Sequence, residues 1–415
     1  MNLLLKSSTC NQQSSIKISG SKSETNRLLL LQALYPYLTL ENTSNSDDSE
    51  VMIKALENSQ FTIHNSQLID IHHAGTAMRF LTAYFSIQEE KEFVLTGSSR
   101  MKERPIKILV DALKQLGAEI SYEESVGFPP IRIKGKKLTQ NKVSLSANVS
   151  SQYISALLLI APKLENGLEL TLEGEITSIP YIKMTLALLN GIGIETSFIG
   201  NKICVKPKFK IQNSKFTIES DWSSASYFYS IVALSETGTE ITLSSYKENS
   251  LQGDSVLAEI YKNFGVETTF KNNTIVLSKK KNSQFTIHNS QLNNSPDIAQ
   301  TIAVTCFGLG IGCHLTGLHT LKIKETDRLL ALKNELEKLG ATVTVSDDSL
   351  ILEPLSVIHS NIKIKTYQDH RMAMAFAPLA LKVNITLEDA EVVSKSYPAF
   401  WEDLKSIGFQ ITEQQ

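Results

Sequence analysis

Residues 369–374 read Asp369-His370-Arg371-Met372-Ala373-Met374, a short polar segment that runs directly into small and apolar residues. This pattern predicts a buried helix with a polar start. The same combination occurs earlier in the chain, near residues 22, 74, 150, 222 and 296. The successive intervals are 52, 76, 72, 74 and 73 residues, so the sequence predicts six related repeats, of which the first is shortened.

A second feature of the sequence keeps the same spacing. Amphipathic helix patterns end in an apolar residue followed by glycine, which suits a left-handed helix C-cap, and a strand pattern follows each glycine. We therefore predict β-α-β-α-β-β repeats, three in each of two domains, in an α/β (α+β) fold. The apolar-glycine pairs are Leu116-Gly117, Ile192-Gly193, Phe264-Gly265, Leu339-Gly340 and Ile407-Gly408.

One eleven-residue segment occurs twice, at residues 58–68 and again at residues 282–292. The offset of 224 positions is about three repeats, which agrees with three repeats in each domain. We expect both copies to form equivalent strands. The repeat pattern gives no physical reason for their full identity.

Length and composition limit the possible functions. A chain of 415 residues exceeds what one hydrophobic core usually serves, and 42% hydrophobic with 20% charged residues is ordinary for a globular protein. The net charge of −2 provides no general field for nucleic acid or for an acidic membrane, so any anion site must be local. No apolar run reaches the ~18 residues that span a bilayer. We expect a soluble monomer with a first strand at its start.

The four cysteines, Cys10, Cys204, Cys306 and Cys313, show no Cys-x-x-Cys spacing. They fit buried thiols in a reducing cytoplasm and imply neither disulfides nor zinc. The pair His72-His73 lacks a third metal ligand nearby.

Polar helix starts are natural anion sites, because they carry unpaired N–H groups and a partial positive charge. Lys22, Arg27, Arg104 and Arg371 lie at or near such starts. Lys324 and Arg328 are four residues apart, which predicts that both face one side of a helix. Any one of these cations is more often a solvated side chain, so the hypothesis depends on the whole set. Glu325 and Asp297 stand beside the cations as candidates for proton transfer.

These residues carry a resemblance that extends over essentially the whole chain: the sequence resembles 5-enolpyruvylshikimate-3-phosphate (EPSP) synthase. Lys-Glu-Thr-Asp-Arg and Asp-His-Arg-Met-Ala together are the specific signals. The matching motifs are Gly20-Ser21-Lys22-Ser23 with Asn26-Arg27, Ala74-Gly75-Thr76-Ala77-Met78-Arg79, Leu95-Thr96-Gly97, Arg100-Met101-Lys102-Glu103-Arg104-Pro105, Val149-Ser150-Ser151-Gln152, Pro180-Tyr181-Ile182, Asp221 with Ser223-Ser224-Ala225-Ser226-Tyr227, Gln252-Gly253-Asp254, Pro296-Asp297, Lys324-Glu325-Thr326-Asp327-Arg328-Leu329 and Asp369-His370-Arg371-Met372-Ala373-Met374.

The resemblance implies the enolpyruvyl transferase fold, an inside-out barrel of three βαβαββ units in each domain. The chain would begin and end in one domain and bind its ligands in the cleft between the two. We expect residues 14–219 to form the N-terminal domain, and residues 1–13 with 220–415 to form the C-terminal domain. The crossings are expected near residues 11–20 and 218–222.

The implied reaction moves the enolpyruvyl group of phosphoenolpyruvate to the 5-hydroxyl of shikimate 3-phosphate, in aromatic amino acid biosynthesis, without metal or organic cofactor. By resemblance, shikimate 3-phosphate is bound by Lys22, Ser23, Arg27, Ser150, Ser151, Gln152, Ser178, Tyr181, Asp297 and Lys324. Phosphoenolpyruvate is bound by Lys22, Gly75, Arg104, Gln152, Glu325, Arg328, His370, Arg371 and Lys395.

The catalytic residues implied are Asp297 for the acceptor hydroxyl, Glu325 for the methylene carbon, and Lys22 with Lys395 for charge on the adduct and the leaving phosphate. How the two acids divide the proton transfers stays open. His370 is equally compatible with a structural role.

The sequence departs from the family pattern at His73, Phe80, Ser19 and Thr320-Leu321. Thr320 stands where an asparagine is usual, which puts one contact to the acceptor phosphate in doubt. Two rival functions remain. A transferase acting on UDP-N-acetylglucosamine would carry a reactive cysteine in the loop at residues 97–105, which has none. A non-catalytic anion-binding relative is disfavoured by the presence of Lys22, Asp297, Glu325 and Lys395.

Overall fold

The computed structural model describes residues 1–59, 66–147, 150–281, 287–355 and 357–414. The chain divides into two compact units. The C-terminal unit contains Met1–Gly20 and Glu219–Gln415, and the N-terminal unit contains Ser21–Ile218. No helix among the described residues is long and apolar enough to cross a membrane.

Every predicted repeat contains strands. In chain order they are β1 (Asn2–Lys6), β2 (Gln13–Ile16), β3 (Leu38–Glu41), β4 (Gln67–Asp70), β5 (Glu92–Thr96), β6 (Glu119–Tyr122), β7 (Ile131–Lys134), β8 (Lys142–Ser146), β9 (Leu168–Glu173), β10 (Thr196–Ile199), β11 (Lys202–Val205), β12 (Ser214–Thr217), β13 (Glu240–Ser244), β14 (Val266–Lys271), β15 (Thr274–Lys279), β16 (Ile287–Gln291), β17 (Gly312–Thr316), β18 (Val343–Val345), β19 (Ser349–Leu352), β20 (Ile362–Ile364), β21 (Ile385–Leu387) and β22 (Gln410–Gln414).

The α-helices alternate with these strands. They are α1 (Lys22–Leu34), α2 (Asp47–Asn58), α3 (Gly75–Ser86), α4 (Ser99–Lys102), α5 (Lys107–Gln115), α6 (Ser151–Ile160), α7 (Ile179–Gly191), α8 (Trp222–Leu234), α9 (Leu257–Ile260), α10 (Ala299–Leu309), α11 (Arg328–Lys338), α12 (His370–Phe376) and α13 (Phe400–Ser406). Short 3-10 helices lie at Ala161–Lys163, Gly253–Val256, Tyr261–Phe264, Pro296–Ile298, His319–Ile323, Ala377–Leu381 and Ala390–Lys395.

The sheets repeat one topology. In the order β16-β17-β19-β18, the first two strands are parallel and the last two form an antiparallel hairpin against them. The sheets β4-β5-β7-β6, β8-β9-β11-β10 and β2-β13-β15-β14 follow the same order. In the sheet β20-β21-β1-β22 the predicted first strand β1 takes the third place, so both ends of the chain pair in the C-terminal unit. The βαβαββ prediction is confirmed for these five repeats.

The shortened first repeat is different. Its sheet, β12 with β3, has two parallel strands among the described residues and no antiparallel hairpin. The interval is 52 residues, against 72 to 76 in the other repeats. Residues 60–65, between α2 and β4, lie outside the described residues, so the full βαβαββ unit stays a prediction for this repeat.

The first passage between the units falls after Gly20, later than the expected boundary at residue 14. Strand β2 pairs in parallel with β13, from Gln13 opposite Glu240 to Ile16 opposite Leu243. These backbone hydrogen bonds place residues 14–20 with the C-terminal unit. The second passage falls after Ile218.

Each unit has a core of helices that are rich in small and apolar residues, as the sequence pattern predicts. In the N-terminal unit α1, α3 and α6 pack together, and in the C-terminal unit α8 and α12 both pack against α10. Five of the six begin at the predicted polar segments, and α10 begins at Ala299, directly after the 3-10 helix Pro296–Ile298 that such a segment forms. The predicted glycine caps are confirmed by positive φ angles at Gly117, Gly193, Gly265, Gly340 and Gly408.

The second copy of the eleven-residue segment supplies all of β16, whereas the first copy supplies only Gln67 and Leu68 of β4; both are first strands of equivalent sheets. Most of their identical residues, 60–65 and 282–286, lie outside the described residues, as does Val149 of a predicted motif. The four cysteines are free, and the described residues hold no group of ligands suited to a metal ion.

Candidate functional site

The C-terminal unit gathers its predicted site residues around Asp297. The Nζ atom of Lys324 lies 3.3 Å and the Nη1 atom of Arg328 lies 2.9 Å from Asp297 Oδ1. On the other oxygen, Arg371 Nη2 lies 3.3 Å from Asp297 Oδ2. Burial by itself raises the pKa of Asp297, but the attraction of these three cations outweighs it and holds the pKa well below its usual range.

Arg328 is the centre of this arrangement, with a side chain only 2% exposed. Its Nε donates to Asp369 Oδ2 at 2.7 Å, and its Nη2 donates to Glu325 Oε2 at 2.8 Å, in addition to the bond with Asp297. Burial opposes the charge of the guanidinium, but the attraction of the three carboxylates raises the pKa of Arg328 above its usual value. Arg328 therefore fixes three acidic side chains relative to one another.

Glu325 lies between two cations. Its Oε2 accepts from Arg328, while its Oε1 is 3.4 Å from the Nζ of Lys395, at the end of the 3-10 helix Ala390–Lys395. His370 is 1% exposed, with its Nδ1 3.7 Å from Asp369 Oδ1, which is beyond hydrogen-bonding distance. We call the set Asp297, Glu325, Asp369, Lys324, Arg328, Arg371 and Lys395 the Asp297 cluster.

Helix starts hold this cluster in place. Asp369 is the N-cap of α12, where its Oδ1 accepts from the Arg371 backbone N–H at 2.9 Å. Asp221 caps α8 in the same way, through the Ser224 N–H at 2.8 Å. Capping carboxylates satisfy N–H groups that a helix leaves unpaired, so these residue types belong at these positions.

The prediction that Lys324 and Arg328 share one helical face is wrong. The helix α11 begins only at Arg328, and Asp327 is its N-cap, with its Oδ1 accepting from the Leu330 N–H at 3.1 Å. Lys324 lies before the helix, at the end of the 3-10 helix His319–Ile323. The two cations still converge, because both contact Asp297 Oδ1.

In the N-terminal unit, Arg27 on α1 is as buried as Arg328, at 2% exposure. Its guanidinium donates to the hydroxyls of Thr185 at 2.8 Å and Ser155 at 3.0 Å, and to the Ser23 carbonyl at 2.8 Å. In the described part of the chain these hydrogen-bond partners are all neutral. Burial lowers the pKa of Arg27 to about 10, against some attraction from Glu24.

Aromatic rings complete the surroundings of Arg27. The guanidinium carbon lies 5.5 Å from the ring centre of Phe80 and 6.0 Å from that of Tyr181. Phe80, one of the departures from the family pattern, is fully buried in this contact. Its effect therefore falls on Arg27.

Lys22 is the first residue of α1, capped by Ser21, and its Nζ lies 3.1 Å from Asp48 Oδ2. Both side chains are mostly buried, at 18% and 8% exposure. Asp48 lies in the first turn of α2 and was not predicted as a site residue. The ion pair holds the ammonium group at the polar start of a helix.

Gly75 and Arg104 are brought together. A Cβ added to Gly75 would lie 2.5 Å from Arg104 Nη1, so the guanidinium packs directly on the glycine. Arg79 ties the two segments, because its guanidinium donates to the Gly75 carbonyl at 3.0 Å and to the Pro105 carbonyl at 3.1 Å. Arg79 lies within one of the matching motifs, although the resemblance implies no role for it.

The α6 start lies beside the same segment. Gln152 donates from Nε2 to the Thr76 hydroxyl at 3.1 Å, and Ser150 caps α6 by accepting from the Gln152 N–H at 3.3 Å. Ser151 is the first residue of α6 and is buried. Ser178 precedes α7 in a left-handed conformation with φ of 54° and is also buried.

Two further departures have local consequences. His73 Nδ1 lies 2.8 Å from the Ser98 hydroxyl. The Thr320 Oγ1 is buried and has no hydrogen-bond partner among the described residues. Neither position takes part in the Asp297 cluster.

The family model for EPSP synthase (3-phosphoshikimate 1-carboxyvinyltransferase) matches residues 7–404. A 3-phosphoshikimate 1-carboxyvinyltransferase of Bacteroides fragilis is 46% identical over 404 residues, with 96% of each chain covered. One from Haemophilus influenzae is 34% identical, covering 95% of this chain and 96% of the relative.

Solved structures share the fold. An EPSP synthase from Acinetobacter baumannii has a TM-score of 0.82 at 22% identity, covering 99% of this chain and all of that one. The enolpyruvyl transferase NikO from Streptomyces tendae has a TM-score of 0.77 at 14% identity, covering 100% of this chain and 99% of that one. The two-domain α/β architecture is therefore confirmed.

Proposed function

Because this chain belongs to the EPSP synthase (3-phosphoshikimate 1-carboxyvinyltransferase) family, we propose that the Asp297 cluster and the cations of the N-terminal unit together carry out the family's reaction. That reaction moves the enolpyruvyl group of phosphoenolpyruvate to shikimate 3-phosphate and releases phosphate, within the shikimate pathway. The observation that carries the assignment of residues is the contact of Asp297 with three cations inside a buried carboxylate cluster.

Both substrates are strongly anionic, since each phosphate carries about −1.5 to −2 charges and each substrate adds a carboxylate. The N-terminal unit offers Arg27, whose buried charge is met by neutral hydrogen-bond partners. We assign Arg27, with Ser23, Ser150, Ser151, Gln152, Ser178 and Tyr181, to shikimate 3-phosphate. We assign Lys22, Gly75, Arg104 and Arg371 to phosphoenolpyruvate.

The proposed chemistry has two balanced steps. First, Asp297 takes the proton of the acceptor 5-hydroxyl while that oxygen bonds to C2 of phosphoenolpyruvate, and Glu325, in its protonated form, gives a proton to C3. Then C3 returns a proton to Glu325, the double bond re-forms, the C2–O bond to phosphate breaks, and the leaving phosphate takes the proton held by Asp297. Lys22 and Lys395 stabilise the charge on the tetrahedral adduct and on the leaving phosphate.

As long as the three cations attract only Asp297, its lowered pKa makes it a weak base. A phosphate or carboxylate that binds Lys324 or Arg371 shares their positive charge and so weakens their attraction for Asp297. The pKa of Asp297 then rises toward the range useful for proton transfer. Substrate binding thereby activates the base, and the fixed Arg328 keeps its position.

The test is the release of inorganic phosphate by purified protein, with no metal added. Phosphoenolpyruvate is supplied with shikimate 3-phosphate, with UDP-N-acetylglucosamine, or alone. We expect release only with shikimate 3-phosphate. Release only with the nucleotide sugar would overturn the proposed acceptor, and release with neither would favour a non-catalytic anion-binding protein.

The Glu325→Gln variant tests the proton transfer itself. We expect it to retain binding of both substrates and to lose most turnover, about 10²- to 10⁴-fold, because glutamine cannot supply the proton to C3. Thr326→Ser, one residue along the same loop, is the matched control and keeps wild-type turnover. An unchanged kcat in the glutamine variant would remove Glu325 from the mechanism.

A further inference from the structure

The motif Gln252-Gly253-Asp254 has no part in the chemistry above, yet it contacts the starts of two core helices. Gln252 accepts from the backbone N–H of Trp222 at 2.9 Å, at the start of α8. The Gly253 carbonyl accepts from the Ser295 hydroxyl at 2.9 Å, directly before the 3-10 helix that carries Asp297. The segment is therefore built into the frame of the Asp297 cluster.

Asp254 is the buried end of a chain of hydrogen bonds that leads to Arg371. Its side chain is 3% exposed, and its Oδ2 accepts from the Ser223 hydroxyl. The same Ser223 oxygen accepts from Arg371 Nη2 at 3.3 Å, and this nitrogen also lies 3.3 Å from Asp297 Oδ2. One guanidinium nitrogen is thus shared between Ser223 and the proposed catalytic base.

A serine hydroxyl has a single proton and two lone pairs. When that proton is donated to the Asp254 carboxylate, the lone pairs of Ser223 are directed to the guanidinium. The arrangement therefore fixes which group donates in each hydrogen bond: the Ser223 hydroxyl donates to Asp254, and the Arg371 guanidinium donates to Ser223. A negatively charged acceptor also makes the first of these bonds stronger than a neutral one would.

We propose that Asp254 is a positioning residue for enolpyruvyl transfer, which holds Arg371 through the Ser223 hydroxyl in the orientation that binds phosphoenolpyruvate. This proposal rests on the function proposed above for Arg371. Asp254 touches no reacting atom, and its hydrogen bond to Ser223 is what connects it to the orientation of Arg371.

The ionisation of Asp254 makes the proposal sensitive to pH. Burial raises the pKa of Asp254 to about 7, repulsion from Asp297 and Asp221 adds to the rise, and Arg371 and the Ser223 hydroxyl oppose it. Its Oδ1 is buried without a hydrogen-bond partner among the described residues, which adds to the cost of the charged form. Below neutral pH the carboxyl becomes uncharged and its hold on Ser223 weakens.

Asp254→Asn reproduces the uncharged carboxyl at every pH, with almost the same shape. At pH 8 we expect the KM for phosphoenolpyruvate to rise about tenfold, the effect of one lost charge-assisted hydrogen bond, with a smaller change in kcat. The ratio of the variant KM to the wild-type KM should fall toward one at pH 6. The protonation of phosphoenolpyruvate changes both KM values by the same factor, so its effect cancels in this ratio. The KM for shikimate 3-phosphate should stay unchanged.

Ser223→Ala removes the same connection from the other side and keeps the test decisive if the first variant folds poorly. It should raise the same KM by a similar factor at pH 8, and the double variant should be no worse than either single one, because both interrupt one chain. Gln252→Leu is the matched control: it loses the bond to α8, so thermal stability should fall, while the pH dependence of the KM stays that of the wild type.

A KM within twofold of wild type at pH 8 for Asp254→Asn, or an equal rise at pH 6 and pH 8, would overturn the positioning role. Additive effects in the double variant would overturn it as well. If the wild-type protein releases no phosphate, the proposed function fails and this proposal fails with it. Failure in the variants alone, with an active wild type, leaves the proposed function standing.

Discussion

Arg27 and Arg328 are equally buried arginines with opposite surroundings. Arg27, in the N-terminal unit, donates to two hydroxyls and one carbonyl. Arg328, in the C-terminal unit, donates to the carboxylates of Asp297, Glu325 and Asp369. The pKa of Arg27 is lowered to about 10 by burial, whereas the carboxylates raise that of Arg328. The first arrangement keeps positive charge available for an anionic ligand, and the second uses it to organise acids.

The difference has an energetic side. A buried charge without an opposite charge lowers stability, and a protein keeps such a charge where function requires it. A buried ion pair lowers stability mainly when one of its two partners is removed. The N-terminal unit carries a buried charge whose hydrogen-bond partners are neutral, with some attraction from Glu24. The C-terminal unit carries a network in which each member depends on the others.

Removing the central carboxylate should have the largest effect on catalysis. We expect Asp297→Asn to lower kcat about 10³-fold, because the variant loses the proposed base, and Lys324 and Arg371 lose their shared partner. Steady-state phosphate release measures this. Asp327→Asn is the control, since asparagine caps a helix as well as aspartate does and Asp327 lies outside the cluster. A kcat within tenfold of wild type for Asp297→Asn would contradict the assignment.

The two arginines provide a matched pair for stability. Arg328→Met should lower the free energy of unfolding by about 3–5 kcal/mol, since it leaves buried carboxylates without their partner. Arg27→Met should change it by no more than about 1 kcal/mol, because the Ser155 and Thr185 hydroxyls bond to each other at 2.9 Å. Urea unfolding followed by circular dichroism measures both. Equal losses would show that the contrast in charge pairing has no effect on stability.

The same contrast shows what the sequence could predict. Helix starts and glycine caps are local patterns, so α1, α12 and Gly117 lie where expected. The signal at Asp327 was also local, since an N-cap aspartate before Arg328 marks the true start of α11. The shared-face prediction ignored it.

Contacts between distant segments were beyond such reasoning. Asp48 and Asp369 were missed as partners of Lys22 and Arg328 because the bonded residues are 26 and 41 positions apart. The pairing of β2 with β13, which moves residues 14–20 into the C-terminal unit, is equally remote in sequence. The convergence on Asp297 could be expected only from the resemblance.

Gly75→Ala sharpens the comparison from the side of the N-terminal unit. The new Cβ would meet Arg104 Nη1 at 2.5 Å, and a flexible side chain can move away. We expect the KM for phosphoenolpyruvate to rise about 10- to 100-fold, which corresponds to about 1.4–2.7 kcal/mol, with little loss of stability. Gly97→Ala is the control, since its Cβ would meet the His72 backbone carbonyl at 2.6 Å and should mainly destabilise the fold. An unchanged KM for Gly75→Ala would mean that Arg104 does not bind this substrate.

The smallest expected effect concerns Asp254, the anionic counterpart of Arg27, because its hydrogen bond is to a hydroxyl. Its folded pKa of about 7 lies above its value of about 3.9 in an unfolded chain, so the native state loses stability as pH rises from about 4 to 7. Above pH 7 the loss is complete, and the shift limits it to roughly 4 kcal/mol.

Asp254→Asn removes the charge but leaves a polar group to satisfy, so at pH 8 the variant should be more stable than wild type by about 1–2 kcal/mol. At pH 5 the advantage should vanish, because the wild-type carboxyl is then protonated in the native state. Urea unfolding at pH 5 and pH 8 separates the effect of the charge from a general effect of the substitution. A general effect would change the free energy of unfolding by the same amount at both pH values. A variant that is more stable and binds phosphoenolpyruvate less well would show that the charge on Asp254 is kept for binding at the expense of stability.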